Sequence, residues 1–100
     1  MKKLIIVLAK ATPKEGMADK IIEGAQDLIK ATRAEEGCID YNLYNPEDGS
    51  KFLLFVEQWE TKAHLESHLQ QPHFINFGSV IDEFAENLEI TAYSSEVLDL

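Results

Sequence analysis

The chain has 100 residues, 45% of them hydrophobic, and a formal net charge of −9 at pH 7. This length predicts one domain over residues 1–100 with a single core. The acidic surface argues against nucleic acid and anionic membranes as partners, because both repel negative charge. No apolar run approaches the roughly 20 residues of a membrane span, and no cleavage-site pattern follows the N-terminal run, so we expect a cytoplasmic protein. The single cysteine, Cys38, excludes an internal disulfide.

The first third of the chain predicts a strand followed by a helix. Residues 3–11 form a short apolar run rich in β-branched side chains, which is typical of a strand buried on both faces. Thr12 and Pro13, with Glu15 three residues after the threonine, predict a capping box at the start of a helix. The helix should run to about Arg33, with one apolar stripe formed by Met17, Ile21, Ala25, Leu28 and Ile29.

A hairpin is predicted next. Residues 38–44 alternate in polarity, which places Ile39, Tyr41 and Leu43 on one face of a strand. The turn N-P-E-D-G then leads into a second strand over residues 51–60.

The remaining elements complete the predicted fold. A helix capped by Thr61 should end near Gln71, Pro72 should break it, and helical spacing resumes over residues 73–85 before a last strand at 89–97. The order βαββαβ predicts an α+β fold of the ferredoxin-like kind, with an antiparallel sheet and helices on one side. Because two strands are apolar on both faces, we expect a second copy of the chain to cover the open sheet face in a homodimer.

The candidate site lies around residues 57–74, which hold the only tryptophan and all three histidines. The strand period of two places Phe55, Glu57 and Trp59 on one largely apolar face. Burial would raise the pKa of Glu57 towards a range useful for proton transfer. A purely structural hydrogen bond from Glu57 explains its position equally well.

The histidines differ in their predicted surroundings. His68 shares a helix face with Leu65 and Leu69, so its ring should point inward, either as a general base or as a structural hydrogen-bonding group. His73 follows the proline break, where it could line the pocket or cap the helix. His64 is predicted to lie on the surface.

Metal and cofactor sites are not expected. His64 and His68, spaced i and i+4, could bind a metal from one helix face, but the sequence shows no third ligand. No phosphate-binding loop, dinucleotide-binding fingerprint or flavin signature is present. Tyr41, Tyr44 and Phe74 could line an aromatic cavity, and core packing explains them as well.

Three motifs carry a resemblance to a known family: E-E-G-C-I-D-Y at 35–41, E-Q-W-E at 57–60 and H-L-Q-Q-P-H-F at 68–74. With these motifs, the chain resembles the antibiotic biosynthesis monooxygenase family, whose members are small dimeric α+β barrels and include quinol monooxygenases. The resemblance implies a pocket between the sheet and the helices, lined in part by Trp59. Phe55 stands where polyketide-type members carry an asparagine. Residues 4–9 lack the asparagine of haem-degrading relatives.

The residues and the resemblance together predict a cofactor-independent monooxygenase that oxidises a small aromatic or quinol-like molecule. The predicted catalytic residues are His68, Glu57 and Trp59, and the predicted substrate-binding residues are Phe55, Tyr41, His73 and Phe74. Two alternatives remain open at this point. The first is an isomerase of a small hydroxy-ketone that uses the same base, and the second is a non-catalytic binding or stress-response protein for aromatic compounds.

Overall fold

A computed structural model describes residues 2–100 of the chain. Four strands form one antiparallel sheet in the order β2-β3-β1-β4, and four helices cover one of its faces. The elements in chain order are β1 (Lys3–Pro13), α1 (Ala18–Gly24), α2 (Gln26–Arg33), β2 (Cys38–Tyr44), β3 (Leu53–Trp59), α3 (Lys62–His68), α4 (Pro72–Phe84) and β4 (Ala85–Glu96). The predicted α+β, ferredoxin-like fold is confirmed. None of the helices described over residues 2–100 is long and apolar enough to cross a membrane.

The central strand β3 shows why the sheet has one core-facing side. Leu53, Phe55, Glu57 and Trp59 are buried beneath the helices, while the three residues between them are only half-buried on the other face. Strand β1 pairs with β3 on one side and β4 on the other, so Val7 lies between Glu57 and Ala92. The apolar side chains of β1 and β3 therefore form the floor against which the helices pack.

The predicted capping box at Thr12 is wrong. Thr12 and Pro13 extend β1 and pair with the start of β4, with a register shift between them. The chain then turns at Gly16, whose φ of +73° is a conformation that glycine adopts without strain. The helix begins only at Ala18, because Thr12 and Pro13 belong to β1 and pair with β4.

The single helix predicted up to Arg33 is divided in two at Ala25. Its apolar stripe is nevertheless inward, with Ile21, Ala25 and Leu28 buried. Gly24 ends the first segment where α4 crosses closely, and a Cβ at this glycine would lie 2.8 Å from Cγ1 of Val80. The absence of a side chain at Gly24 thus allows the two helices to approach.

Strand β2 also departs from strict alternation. Cys38 pairs with Trp59 and Asp40 with Gln58, which leaves Ile39 as an extra residue in a bulge. Ile39 therefore lies on the exposed side, against the prediction, whereas Tyr41 stays on the core side opposite Glu57. Tyr44 is also largely exposed, so its predicted place in an aromatic cavity is wrong.

Gly37 is expected to be a sensitive position of the loop before β2. Its φ is +83°, and a Cβ there would collide with the ring of His64 on α3. Gly37→Ala should therefore lower the free energy of unfolding by about 2 kcal/mol or more, since a left-handed conformation and a clash act together. Urea unfolding at pH 7 measures this.

Gly49→Ala is the matched control, because Gly49 has a φ of +84° but no atom within 4 Å of a Cβ. Its loss of stability reports the effect of the left-handed backbone conformation alone. Equal losses in the two variants would contradict the contact between Gly37 and His64.

Candidate active site

A pocket of about 130 Å³ lies between the helix-facing side of the sheet and helices α3 and α4. Its floor includes Val7, Tyr41 and Phe55 from three strands, and its roof includes Leu65, Phe74 and Phe77. Leu69 and Ile90 are 39% and 45% exposed and also line it, so they mark the side that opens to solvent. The lining of the pocket is almost wholly apolar. Glu57 and His68 are the lining residues whose side chains can exchange protons near neutral pH.

Glu57 and Trp59 form a buried pair on β3. The indole Nε1–H of Trp59 donates to Oε1 of Glu57 over 3.0 Å. Burial raises the pKa of Glu57 to about 7, although the hydrogen bond from Trp59 acts in the opposite direction. The carboxyl group of Glu57 is thus poised to gain or lose a proton near neutral pH.

His68 lies at the end of α3 with only 1% of its surface exposed. Its ring packs 4.7 Å from the ring of Trp59 and 5.2 Å from that of Phe74, measured between centroids. Burial lowers the pKa of His68, while its contact with Glu35 works against that shift. The imidazole is therefore neutral at pH 7.

Glu35 fixes which nitrogen of His68 carries the proton. Nδ1 of His68 lies 2.6 Å from Oε2 of Glu35, so the proton sits on Nδ1 and is donated to the carboxylate. The other ring nitrogen, Nε2, keeps a free lone pair. A histidine held in this way can accept a proton from a molecule in the pocket.

The same oxygen of Glu35 also binds His73. Nε2 of His73 donates to Oε2 of Glu35 over 2.7 Å. Exposure increases along this chain of contacts, from the buried His68 to side chains of Glu35 and His73 that are 11% and 22% exposed. His73 therefore lies beside the pocket as a neighbour of Glu35, rather than in its wall.

The sequence analysis missed Glu35. It lies 33 residues before His68, on a loop without periodicity, and one of two adjacent glutamates gives no sign of pointing inward. The one feature of the sequence that pointed to Glu35 was its position in E-E-G-C-I-D-Y, the first motif of the family resemblance. The sequence paired His68 with His64 as possible metal ligands and showed no third ligand. In the structure, the side chains grouped with His68 are Glu35 and His73.

His64 makes its contacts outside the pocket. Its backbone N–H donates to Oγ1 of Thr61, whose hydroxyl also lies 2.8 Å from Nδ1 of the His64 ring. The ring is half-buried against Gly37, so the predicted surface position is only partly right. His64 does not pair with His68.

Glu35, His68 and His73 are a group that could hold a metal ion, since their ligand atoms lie within 4.8 Å of one another. Ligand atoms around a tetrahedral zinc ion are about 3.3 Å apart, given bonds of about 2.0–2.1 Å. The two contacts to Glu35, at 2.6 and 2.7 Å, are closer than that. A metal ion would have to break both hydrogen bonds to enter.

The structure brings most of the predicted site residues together. Tyr41, Phe55, Glu57, His68 and Phe74 line the pocket. Trp59 lies behind Glu57 and His68, in contact with both. Burial raises the pKa of the Tyr41 hydroxyl, which therefore stays protonated. Burial likewise raises the pKa of Cys38 to about 11, so its thiol is not a nucleophile at neutral pH.

The protein is thus a small α+β domain of the ferredoxin-like kind, in which a histidine–carboxylate pair adjoins an apolar pocket. The family model for antibiotic biosynthesis monooxygenases matches residues 4–79. The chain belongs to this family.

Three relatives illustrate the similarity. A Synechocystis protein, "Uncharacterized protein sll1783", is 34% identical over 73% of this chain, and the match spans half of that protein. "Putative monooxygenase Rv0793" of Mycobacterium tuberculosis is 30% identical over 79% of this chain and 77% of its own. Its solved structure has a TM-score of 0.84, with 26% identity over 97% of both chains. "Probable quinol monooxygenase YgiN" of Escherichia coli is 26% identical over 77% of this chain and 82% of its own.

Proposed function

We propose that the protein is a cofactor-independent monooxygenase that oxidises a phenol or quinol in the pocket beside His68. The observation that carries this proposal is the hydrogen bond between Nδ1 of His68 and Glu35, which leaves Nε2 of a neutral, buried imidazole as a base. The names of two relatives, a monooxygenase and a quinol monooxygenase, support the same reaction class.

The reaction needs no external electron donor. His68 removes the hydroxyl proton of the substrate, and the resulting phenolate transfers electrons to dioxygen and forms a carbon–oxygen bond at a ring carbon that carries hydrogen. His68 returns its proton to the peroxide. Loss of the ring hydrogen then breaks the O–O bond and releases water. The balance is one phenol and one dioxygen giving one quinone and one water, with all four electrons supplied by the substrate.

The remaining side chains would assist this chemistry. The apolar wall excludes water, which strengthens electrostatic interactions in the pocket. Glu57 is partly protonated near pH 7 because burial raises its pKa to about 7. As a neutral acid it can donate a hydrogen bond to the negative charge that develops on oxygen. Glu35 acts as a positioning residue that stabilises the His68 imidazolium once it forms.

Oxygen uptake with stoichiometric quinone formation tests the proposal. Purified protein incubated with 1,4-benzenediol should consume one dioxygen per hydroxyquinone formed, and one atom of labelled dioxygen should appear in the product. 1,4-Dimethoxybenzene, which has no proton for His68 to remove, is the matched control substrate. Isomerisation of a hydroxy-ketone without oxygen uptake would favour the isomerase, and binding without turnover would favour a binding protein.

We also propose that a second copy of the chain covers the sheet face that points away from the helices, which we call the open face. Leu8 and Tyr93 on this face are 36% and 49% exposed, and Ile6, Leu54 and Val56 are half-buried there. These residues come from three adjacent strands. Such a continuous apolar surface is uncommon on a monomer.

Sedimentation at micromolar concentration should show a species of twice the 11.3 kDa chain mass. Leu8→Asp should shift it to the monomer, because a charge in the centre of a dimer interface is costly to bury. Ile75→Asp, at a residue of α4 that is 61% exposed, is the matched control and should leave the dimer intact. A wild-type protein of 11.3 kDa would refute the proposed dimer.

A further inference from the structure

Two imidazole nitrogens and a carboxylate oxygen converge on one point beside the pocket. Nδ1 of His68 and Nε2 of His73 both reach Oε2 of Glu35, over 2.6 and 2.7 Å, and the three ligand atoms lie within 4.8 Å of one another. The proposed oxidation makes no use of His73. Two imidazoles with one carboxylate suit first-row transition-metal ions such as Zn²⁺, whereas Mg²⁺ and Ca²⁺ prefer oxygen ligands alone.

A small movement of these side chains would open the cluster to an ion. Because ligand atoms around tetrahedral zinc are about 3.3 Å apart, each contact to Glu35 has to lengthen by less than about 1 Å. The two nitrogens, now within 4.8 Å, have to reach the same separation. Within residues 2–100, no other group donates a hydrogen bond to the Glu35 carboxylate. The movement therefore breaks only two hydrogen bonds, and bonds to the ion replace both.

The surroundings of the cluster favour a cation. The side chains of Glu35 and His73 are 11% and 22% exposed, so an ion can enter from their side and keep a water molecule as a further ligand. No lysine or arginine in the described part of the chain forms a salt bridge with Glu35, and Arg33 donates instead to Tyr41 and Asn42. The net charge of −9 also attracts cations to the surface.

A metal ion on Nδ1 of His68 would change the other nitrogen of the same ring. Without the ion, Nδ1 carries the proton and donates it to Glu35, and Nε2 holds the free lone pair. A neutral imidazole has one N–H group, so coordination at Nδ1 moves that proton to Nε2 with no net gain or loss of protons. Nε2 then becomes a donor and can no longer accept a proton from a molecule in the pocket.

We infer that Glu35, His68 and His73 form a binding site for a divalent first-row transition-metal ion, and that the bound ion removes the basic lone pair of His68. The loss of activity on metal binding rests on the proposed function, because it takes His68 as the base of the oxidation. The binding site itself does not depend on that reaction. The sequence analysis did not expect a metal site because it considered His64 beside His68.

Titration calorimetry with zinc chloride at pH 7.5 tests the site without requiring turnover. The metal-free protein should bind one zinc ion per chain in the micromolar range. His73→Gln keeps a hydrogen-bond donor for Glu35 but loses the imidazole ligand, and it should weaken binding roughly a hundredfold or more, since even the outer partners of metal ligands contribute about 10–100-fold. Glu35→Gln is a second variant with the same expectation. His64→Ala, outside the cluster, is the matched control and should keep the wild-type affinity.

Nitrogen-15 NMR of the His68 ring tests the change of tautomer directly. Nε2 should give the signal of an unprotonated nitrogen in the metal-free protein and that of a protonated nitrogen when zinc saturates the site. Oxygen uptake with 1,4-benzenediol should fall in proportion to the bound zinc.

The outcomes separate this inference from the proposed function. Absence of zinc binding in the micromolar range, or equal zinc affinity of the wild type and both cluster variants, would overturn the inference. An unprotonated Nε2 in the zinc-saturated protein, or oxygen uptake that zinc does not lower, would overturn the predicted effect on the base. Zinc binding with the change of tautomer in a protein that consumes no oxygen would support the site and defeat the monooxygenase. Oxygen uptake by a protein that binds no zinc would do the reverse.

Discussion

Replacing His68 with alanine is expected to lower the turnover of an accepted phenol by roughly a hundredfold or more, the usual scale for loss of a general base. The reason is geometric, because Nδ1 is committed to Glu35 and leaves Nε2 to take the substrate proton. Turnover is measured per folded molecule, with thermal melts on the same preparation. His64→Ala, which removes a histidine of the same helix outside the pocket, is the control and should retain most activity.

A structural role for His68 predicts a different result. The alanine variant would then lose about 1–3 kcal/mol of stability through the broken hydrogen bond and keep near-normal turnover. The pH profile distinguishes the two further. Because burial lowers the pKa of His68 from 6.5, wild-type activity should fall with decreasing pH only below that value. An activity that does not depend on His68 would show no such decrease at low pH.

Glu57→Gln is expected to make the protein more stable at alkaline pH, by about 3 kcal/mol at pH 8. The unfolded chain releases the Glu57 proton near pH 4.5, whereas the folded protein keeps it until about pH 7. Between these values the folded state binds more protons, so its stability falls as pH rises and then levels off above pH 7. Glutamine can still accept the hydrogen bond of Trp59 and never ionises.

Urea unfolding at pH 5 and pH 8 measures this difference. The wild type should lose about 2–3 kcal/mol more stability between the two values than Glu57→Gln does, because at pH 5 the unfolded chain has already released much of the Glu57 proton. Glu89→Gln, at an exposed carboxylate of β4, is the control and should follow the wild type. Parallel pH dependence of wild type and Glu57→Gln would show that the folded protein does not hold the Glu57 proton.

The parts of the site that follow from short periodic patterns could be predicted. Alternation along β3 placed Phe55, Glu57 and Trp59 on one face, and helical spacing turned His68 inward beside Leu65; all four residues are buried or line the pocket. These predictions succeed because the side-chain direction in a strand or helix depends on position within that element alone.

The parts that depend on tertiary contacts could not be predicted. The bulge at Ile39 and the extension of β1 through Pro13 follow from pairing with distant strands. The position of Glu35 depends on how the loop before β2 packs on two helices that come 33 and 38 residues later. No local pattern at Glu35 distinguishes it from its neighbour Glu36.

Helix α3 carries both the proposed base and part of the pocket roof, through His68, Leu65 and Leu69. The hydrogen bond between His68 and Glu35, which orients the imidazole, joins a side chain of this helix to the loop before β2. A local opening of α3 that admits a ligand would therefore break that bond and withdraw the base at the same moment. The reactive form of the protein would exist only while the roof is closed. The substrate would then be ionised only when bulk water is excluded from the pocket. Amide hydrogen exchange in α3 should slow when a ligand is bound, because the ligand stabilises the closed form.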